Sequence, residues 1–181
     1  MEVHRLGVKF FAADPASVRL PDFIQIFHGW IQKQIVENHL LIDVHNYSHI
    51  HQGPGVLLVA HEGNFSLDMT DGRPGLLYYR KTPTTGTPAD HLTTILKSAL
   101  QGCRLVEEDI RLEGRVRFRT DEFIILANDR LNTPNDEETF SRLKPIVAAA
   151  LERVFGGTKF TETHLSEDPR ERLTVLVERK T

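Results

Sequence analysis

The stretch LLIDVHNYSHIHQGPGVLLVAHEGNFSLD, residues 40–68, decides the fold class of this chain. Its two halves, LLIDVHNYSHIH and GVLLVAHEGNFSLD, both have the composition of β-strands. Residues 52–55, Gln-Gly-Pro-Gly, join the halves and favour a reversing turn. The stretch therefore predicts an antiparallel hairpin. A further strand-like run, LLYYRK at residues 76–81, extends the hairpin into a meander of three strands.

Three segments outside the meander have helical periodicity, namely residues 23–36, 92–106 and 136–155. The predicted order is strand, helix, three strands, helix, two strands, helix and two strands. This order lacks the regular alternation of a doubly wound fold. We therefore expect a single α+β domain over residues 1–181. It would be a two-layer sandwich, with a mostly antiparallel sheet of about seven to eight strands and three helices on one face.

The composition excludes several classes of protein. Hydrophobic residues make up 40% and charged residues 26% of the chain, as in ordinary globular proteins. The net charge of -3 gives no basic field to hold nucleic acid or an anionic membrane. No apolar run approaches the roughly 18 residues of a membrane span. With one cysteine and no signal peptide, the chain is expected in the cytoplasm.

The candidate chemistry lies in the hairpin, where residues 45–61 contain four of the nine histidines. Strand alternation places one set of polar side chains on a common face: Asp43, His45, Tyr47, His49 and His51. If Gly53 centres the turn, His45 faces His61, with roughly 5 Å between their Cβ atoms. A slip of one residue would move His61 to the other face.

Imidazoles beside a carboxylate are suitable ligands for a divalent transition metal. The predicted metal ligands are His45, His49, His61 and Glu62, and the predicted ligand-binding residues include Asp43 and Tyr47. No HExxH motif or other diagnostic spacing accompanies them. Two alternatives stay open: an acid/base or ligand-binding role without metal, and a solvent-facing strand with nothing bound.

A second polar cluster, Asn128-Asp129-Arg130, follows the apolar run FIILA. Asn and Asp favour a turn at this point. Arg130 is the member suited to bind an anionic ligand. The arginines at positions 111, 115, 117 and 119 are interpreted as the solvated face of a strand, because acidic residues surround them. The glycine turns lack the spacing of a nucleotide-binding loop.

Four segments resemble an uncharacterised family of bacterial proteins. They are FHGWIQ, DVHNYSHIHQGPGVLLVAHEGN, GRPGLLYYRK and NDRLNTPN. The resemblance extends from about residue 3 to the end of the chain. That family has no established activity, so the resemblance implies no catalytic residues.

Two functional hypotheses follow from the sequence. In the first, the chain is a small intracellular ligand- or metal-binding protein whose site is the histidine-rich hairpin, with or without catalysis. In the second, it is a non-catalytic interaction module or an assembly module that forms a homodimer.

Overall fold

In the part of the chain that the structure describes, eight antiparallel strands form one sheet, and three α-helices cover one of its faces. The computed structural model describes residues 5–181, so the first four residues of the predicted domain lie outside it. The strands are β1 (Leu6–Ala12), β2 (Leu41–Tyr47), β3 (Gly55–Ala60), β4 (Gly63–Asp68), β5 (Gly75–Arg80), β6 (Phe118–Ala127), β7 (Phe160–His164) and β8 (Leu173–Arg179). The helices are α1 (Leu20–Lys33), α2 (Pro88–Glu107) and α3 (Glu137–Phe155). The predicted α+β sandwich is confirmed.

The strand order across the sheet is β2-β3-β4-β5-β1-β6-β8-β7, and each neighbouring pair is antiparallel. The first strand of the chain therefore lies in the middle of the sheet, between β5 and β6. Leu6, Val8 and Phe10 point from β1 toward the helices and are fully buried. Lys9 and Phe11 point to the opposite face, which we call the open face because none of the helices within residues 5–181 packs on it.

The meander contains four strands where three were predicted. The run GVLLVAHEGNFSLD divides into β3 and β4, with a tight turn at His61 and Glu62. No glycine or proline marks this turn before Gly63, so the composition of residues 55–68 predicts one continuous strand. The structure corrects the count within the meander, and the total of eight strands in residues 5–181 is unchanged.

The alternating run RLEGRVRFR, residues 111–119, was predicted as a strand, but only its last two residues belong to one. Residues Ile110–Leu112 form a short 3₁₀ turn, and regular pairing starts only at Phe118. The side chain of Arg115 donates hydrogen bonds to the Ser17 carbonyl oxygen and to Asp22, near the start of α1. Its charge is therefore used to attach this segment to α1.

The register of the predicted hairpin is also different. β2 and β3 pair Tyr47 with Gly55 and His45 with Leu57, so His45 does not face His61. The predicted pairing is wrong because residues 48–54 all belong to the connection. Gly55 starts β3 at a φ of +64°, where an added Cβ would collide with the carbonyl oxygen of Leu67. That close approach, rather than the turn, requires glycine at position 55.

The helix-covered face holds the main core. The predicted stripe of α2 is buried there, including Leu92, Leu96 and Cys103. Burial raises the pKa of the Cys103 thiol well above its usual value, as expected for a core thiol. Within residues 5–181, no helix combines the length and the apolar composition needed to cross a membrane.

Candidate functional site

The open face of the sheet carries a pocket of about 490 Å³. Its floor is apolar and consists of Phe11, Ile124, Leu126 and Leu176 from three adjacent strands. One wall is formed by residues 70–73, between β4 and β5. The other wall comes from residues 165–174, around the loop between β7 and β8. A pocket of this size can enclose a small organic molecule.

Lys9 lies at the edge of this pocket and is 2% exposed. Its Nζ donates a hydrogen bond to Asp68 Oδ2 at 2.7 Å and another to the Thr70 carbonyl oxygen at 3.2 Å. Burial lowers the pKa of Lys9, and the neighbouring Asp68 carboxylate opposes that shift. These contacts attach the wall at residues 70–73 to the central strand. The Asp68 carboxylate also compensates the positive charge of Lys9.

Two arginines of the pocket walls also have carboxylate partners. Arg73 Nη2 lies 2.9 Å from Glu122 Oε1, and its guanidinium carbon lies 3.6 Å from the centroid of the Phe11 ring. Arg170 Nη2 lies 2.6 Å from Asp168 Oδ2. Both guanidinium groups therefore shape the walls, and both charges are compensated within the protein.

Arg172 differs from these cations. Its Nη1 donates a hydrogen bond to the hydroxyl oxygen of Tyr79 at 2.7 Å. Among the described residues, no carboxylate lies within ion-pair distance of Arg172. Burial raises the pKa of Tyr79 to about 12, although the Arg172 charge acts in the opposite direction. Tyr79 thus stays neutral near pH 7 and positions the Arg172 guanidinium without compensating its charge.

Gly7 allows Tyr79 to reach Arg172. Gly7 on β1 is directly opposite Tyr79 on β5. A Cβ added at Gly7 would lie 2.5 Å from Tyr79 Cδ1. The absence of a side chain at position 7 therefore lets the Tyr79 ring lie over β1. This arrangement places one uncompensated guanidinium beside an apolar floor, which suits an anionic group attached to an apolar body.

His45 of β2 and His49 of the following turn lie elsewhere, near the edge of the sheet. The Tyr47 ring lies between His45 and His49, with centroid distances of 6.3 Å and 6.5 Å. His45 Nε2 is 3.7 Å from Asp43 Oδ2. All these side chains except Tyr47 are exposed.

His61 and Glu62 lie at the other end of β3 from His49. The backbone N–H of His61 donates to the Leu40 carbonyl oxygen at 2.9 Å, and Glu62 Oε2 accepts from the backbone N–H of Leu40 at 2.8 Å. Burial alone would raise the pKa of Glu62, but hydrogen bonds from the backbone N–H groups of Leu40 and of Glu62 itself, together with nearby His39 and His61, bring that pKa below its usual value. The structure does not bring the four predicted metal ligands together. Their role as ligands stays a prediction.

Arg130 is outside the lining of the pocket but contacts its wall. Its Nη1 donates to the Arg170 carbonyl oxygen at 2.8 Å. Asp129 accepts a hydrogen bond from the Asn132 side chain at 2.8 Å, so the predicted turn is present. The structure therefore places Arg130 as a support for the loop between β7 and β8. Binding of a ligand by Arg130 stays a prediction.

His39 and Tyr78 form a further polar pair that the sequence did not indicate. His39 Nδ1 lies 2.7 Å from the Glu37 carbonyl oxygen, which only accepts, so Nδ1 carries the proton. His39 Nε2 then accepts from the Tyr78 hydroxyl at 2.7 Å. Burial lowers the pKa of His39 and raises the pKa of Tyr78. The pair joins the segment after α1 to β5.

Comparison of this chain with protein-family models, with curated proteins and with solved structures found no match.

Proposed function

We propose that this protein binds a small organic anion, a carboxylate with an apolar body, in the pocket on the open face. One observation carries the proposal. Four cationic side chains line the pocket, and Lys9, Arg73 and Arg170 are ion-paired. Within residues 5–181, the only partner of the Arg172 guanidinium is the neutral Tyr79 hydroxyl. An incoming carboxylate would supply the missing charge.

The chemistry of the lining supports a carboxylate with an apolar body. A guanidinium group presents several N–H donors in a planar fork that matches the two oxygens of a carboxylate. Tyr79 already fixes the position of that fork, so less side-chain freedom is lost on binding. The apolar floor contributes burial of the ligand body. A free inorganic anion would leave that floor uncovered.

The proposal can be tested by isothermal titration calorimetry with 2-naphthoate and its neutral counterpart 2-naphthamide. We expect naphthoate to bind about tenfold more tightly than the amide, equivalent to about 1.4 kcal/mol. Arg172→Gln should abolish this preference. Arg170→Gln is the matched control and should keep it, because Arg170 is paired with Asp168. Equal binding of the two compounds, or a preference that survives Arg172→Gln, would refute the proposal.

The assembly hypothesis has a different observation in its favour. β2 is an edge strand of the sheet. Leu40, Ile42 and Ile50 around it are 58%, 54% and 46% exposed. Exposed apolar residues at a sheet edge favour pairing with a second copy. Light scattering after size-exclusion chromatography should then show a dimer that Ile42→Lys converts to a monomer. A monomer at all concentrations of the wild type would contradict this hypothesis.

A further inference from the structure

A second cluster of polar side chains lies where α3 begins and β7 ends. Within residues 5–181, one group of three potential metal ligands places its ligand atoms within 4.8 Å of one another: Glu137, His164 and Glu167. Glu137 is the first residue of α3, and His164 is the last residue of β7. Glu167 follows in the loop before β8. The fold thus brings together three side chains from two distant parts of the sequence.

The imidazole of His164 is held in one tautomer by Asn135. The side-chain nitrogen Nδ2 of Asn135 donates to the Asp168 carbonyl oxygen at 2.8 Å. The amide oxygen Oδ1 of Asn135 therefore faces His164 Nε2, at 2.7 Å. Because an amide oxygen only accepts, Nε2 carries the proton and Nδ1 presents a lone pair. Histidines that bind metals are commonly oriented by such a contact on the other ring nitrogen.

The lone pair on His164 Nδ1 is buried, and no described residue donates a hydrogen bond to it. The His164 side chain is 6% exposed, and Nδ1 has no hydrogen-bond partner among residues 5–181. Glu137 Oε2 lies 3.7 Å from Nδ1, beyond hydrogen-bond distance. A buried acceptor without a partner is costly. A cation bound between His164 Nδ1 and the Glu137 carboxylate would remove this cost.

We infer that Glu137, His164 and Glu167 bind one divalent transition-metal ion, and that zinc fits best. Two ligands about 2.1 Å from a tetrahedral ion are about 3.4 Å apart. The observed separation of 3.7 Å between His164 Nδ1 and Glu137 Oε2 is close to that value. One imidazole with two carboxylates suits zinc better than calcium or magnesium, which prefer oxygen ligands throughout. Three protein ligands leave a fourth position for water.

Metal at this site would join the start of α3 to the loop between β7 and β8. The same loop contributes Leu165, Ser166 and Arg170 to the wall of the open-face pocket. The ion would therefore hold that wall in place. The metal site does not depend on the proposed organic ligand, because none of its three ligands lines the pocket.

The test is a calorimetric titration of zinc chloride into the full-length protein, purified without a histidine tag and freed of metal with a chelator. We expect one equivalent of zinc per chain. Glu137→Gln and Glu167→Gln should each weaken binding about tenfold or more. Both glutamates are exposed, so these variants are expected to fold. Glu138→Gln, at the next exposed position of α3, is the matched control and should bind like the wild type.

A second control separates this site from the histidine-rich hairpin. A double variant with His45→Ala and His61→Ala should retain the full equivalent of zinc. Zinc binding that is lost in this double variant, or that is unchanged in Glu167→Gln, would overturn the assignment. Uptake well below one equivalent by the wild type would overturn it as well.

Discussion

The hydroxyl oxygen of Tyr79 accepts a hydrogen bond from Arg172 Nη1 at 2.7 Å, although two strands, β1 and β6, separate β5 from β8 in the sheet. This contact crosses the open face and fixes the one pocket cation, among the described residues, that has no carboxylate partner. Tyr79 is mostly buried, and its raised pKa of about 12 keeps it a neutral partner. The contact holds the Arg172 guanidinium in the pocket where the proposed carboxylate would bind.

Tyr79→Phe removes the hydroxyl group and keeps the ring. We expect the free energy of unfolding to fall by about 1 kcal/mol, the usual net contribution of one hydrogen bond. The affinity for 2-naphthoate should fall less than in Arg172→Gln, since the guanidinium charge remains. Urea denaturation and calorimetry measure the two effects. A Tyr79→Phe variant that binds as weakly as Arg172→Gln would contradict the assigned roles.

Gly7→Ala places a Cβ against the Tyr79 ring, 2.5 Å from Cδ1. We expect a loss of about 1–3 kcal/mol in the free energy of unfolding, as for other overpacked sites. In a Tyr79→Ser background the same substitution should cost much less, because the clash is with the ring. Equal losses in the two backgrounds would show that the ring is not what requires glycine at position 7.

The buried pair Lys9 and Asp68 should behave as one unit. Lys9→Met leaves the Asp68 carboxylate buried without its cation, and we expect a loss of about 3–5 kcal/mol. Adding Asp68→Asn should restore part of that loss, because the amide is neutral and its oxygen can still accept from Thr70. Urea denaturation of the single and double variants measures the coupling. Additive losses would contradict it.

His39 should make the protein less stable in weak acid. Its pKa is lowered in the folded state, so the unfolded chain binds the proton more readily. The stability from neutral His39 is present above the unfolded pKa of about 6.5 and is lost as the pH falls through the folded value. Urea denaturation between pH 7.5 and 5.5 should show this loss. The loss should be smaller in His39→Gln, and an identical pH dependence in that variant would contradict the assignment.

The helices and the fold class could be predicted from the sequence because their signals are local. The stripe of α2, from Leu92 to Val106, needs only its own spacing to indicate one buried face. The register of β2 and β3 depends on contacts outside the two strands. It depends on a connection that includes Gln52 at a φ of 50° and on the approach of Gly55 to the Leu67 carbonyl oxygen.

The pocket could not be predicted because its parts are distant in the sequence. Lys9, Tyr79 and Arg172 become neighbours only through the strand order β5-β1-β6-β8. The alternation of Lys9 with Val8 and Phe10 is typical of a half-buried strand with a solvent-facing lysine, yet β1 is central and Lys9 is buried. One signal was available: a glycine inside a strand pattern, Gly7, indicates a close approach by another group.

A crystal structure of the complex with 2-naphthoate tests the central claim most directly. We predict a carboxylate within hydrogen-bond distance of the Arg172 guanidinium and a naphthalene ring on the floor formed by Ile124, Leu126 and Leu176. A naphthoate bound elsewhere, for example beside His39 and Arg80, would contradict the account. So would a pocket that stays without naphthoate at saturating concentrations.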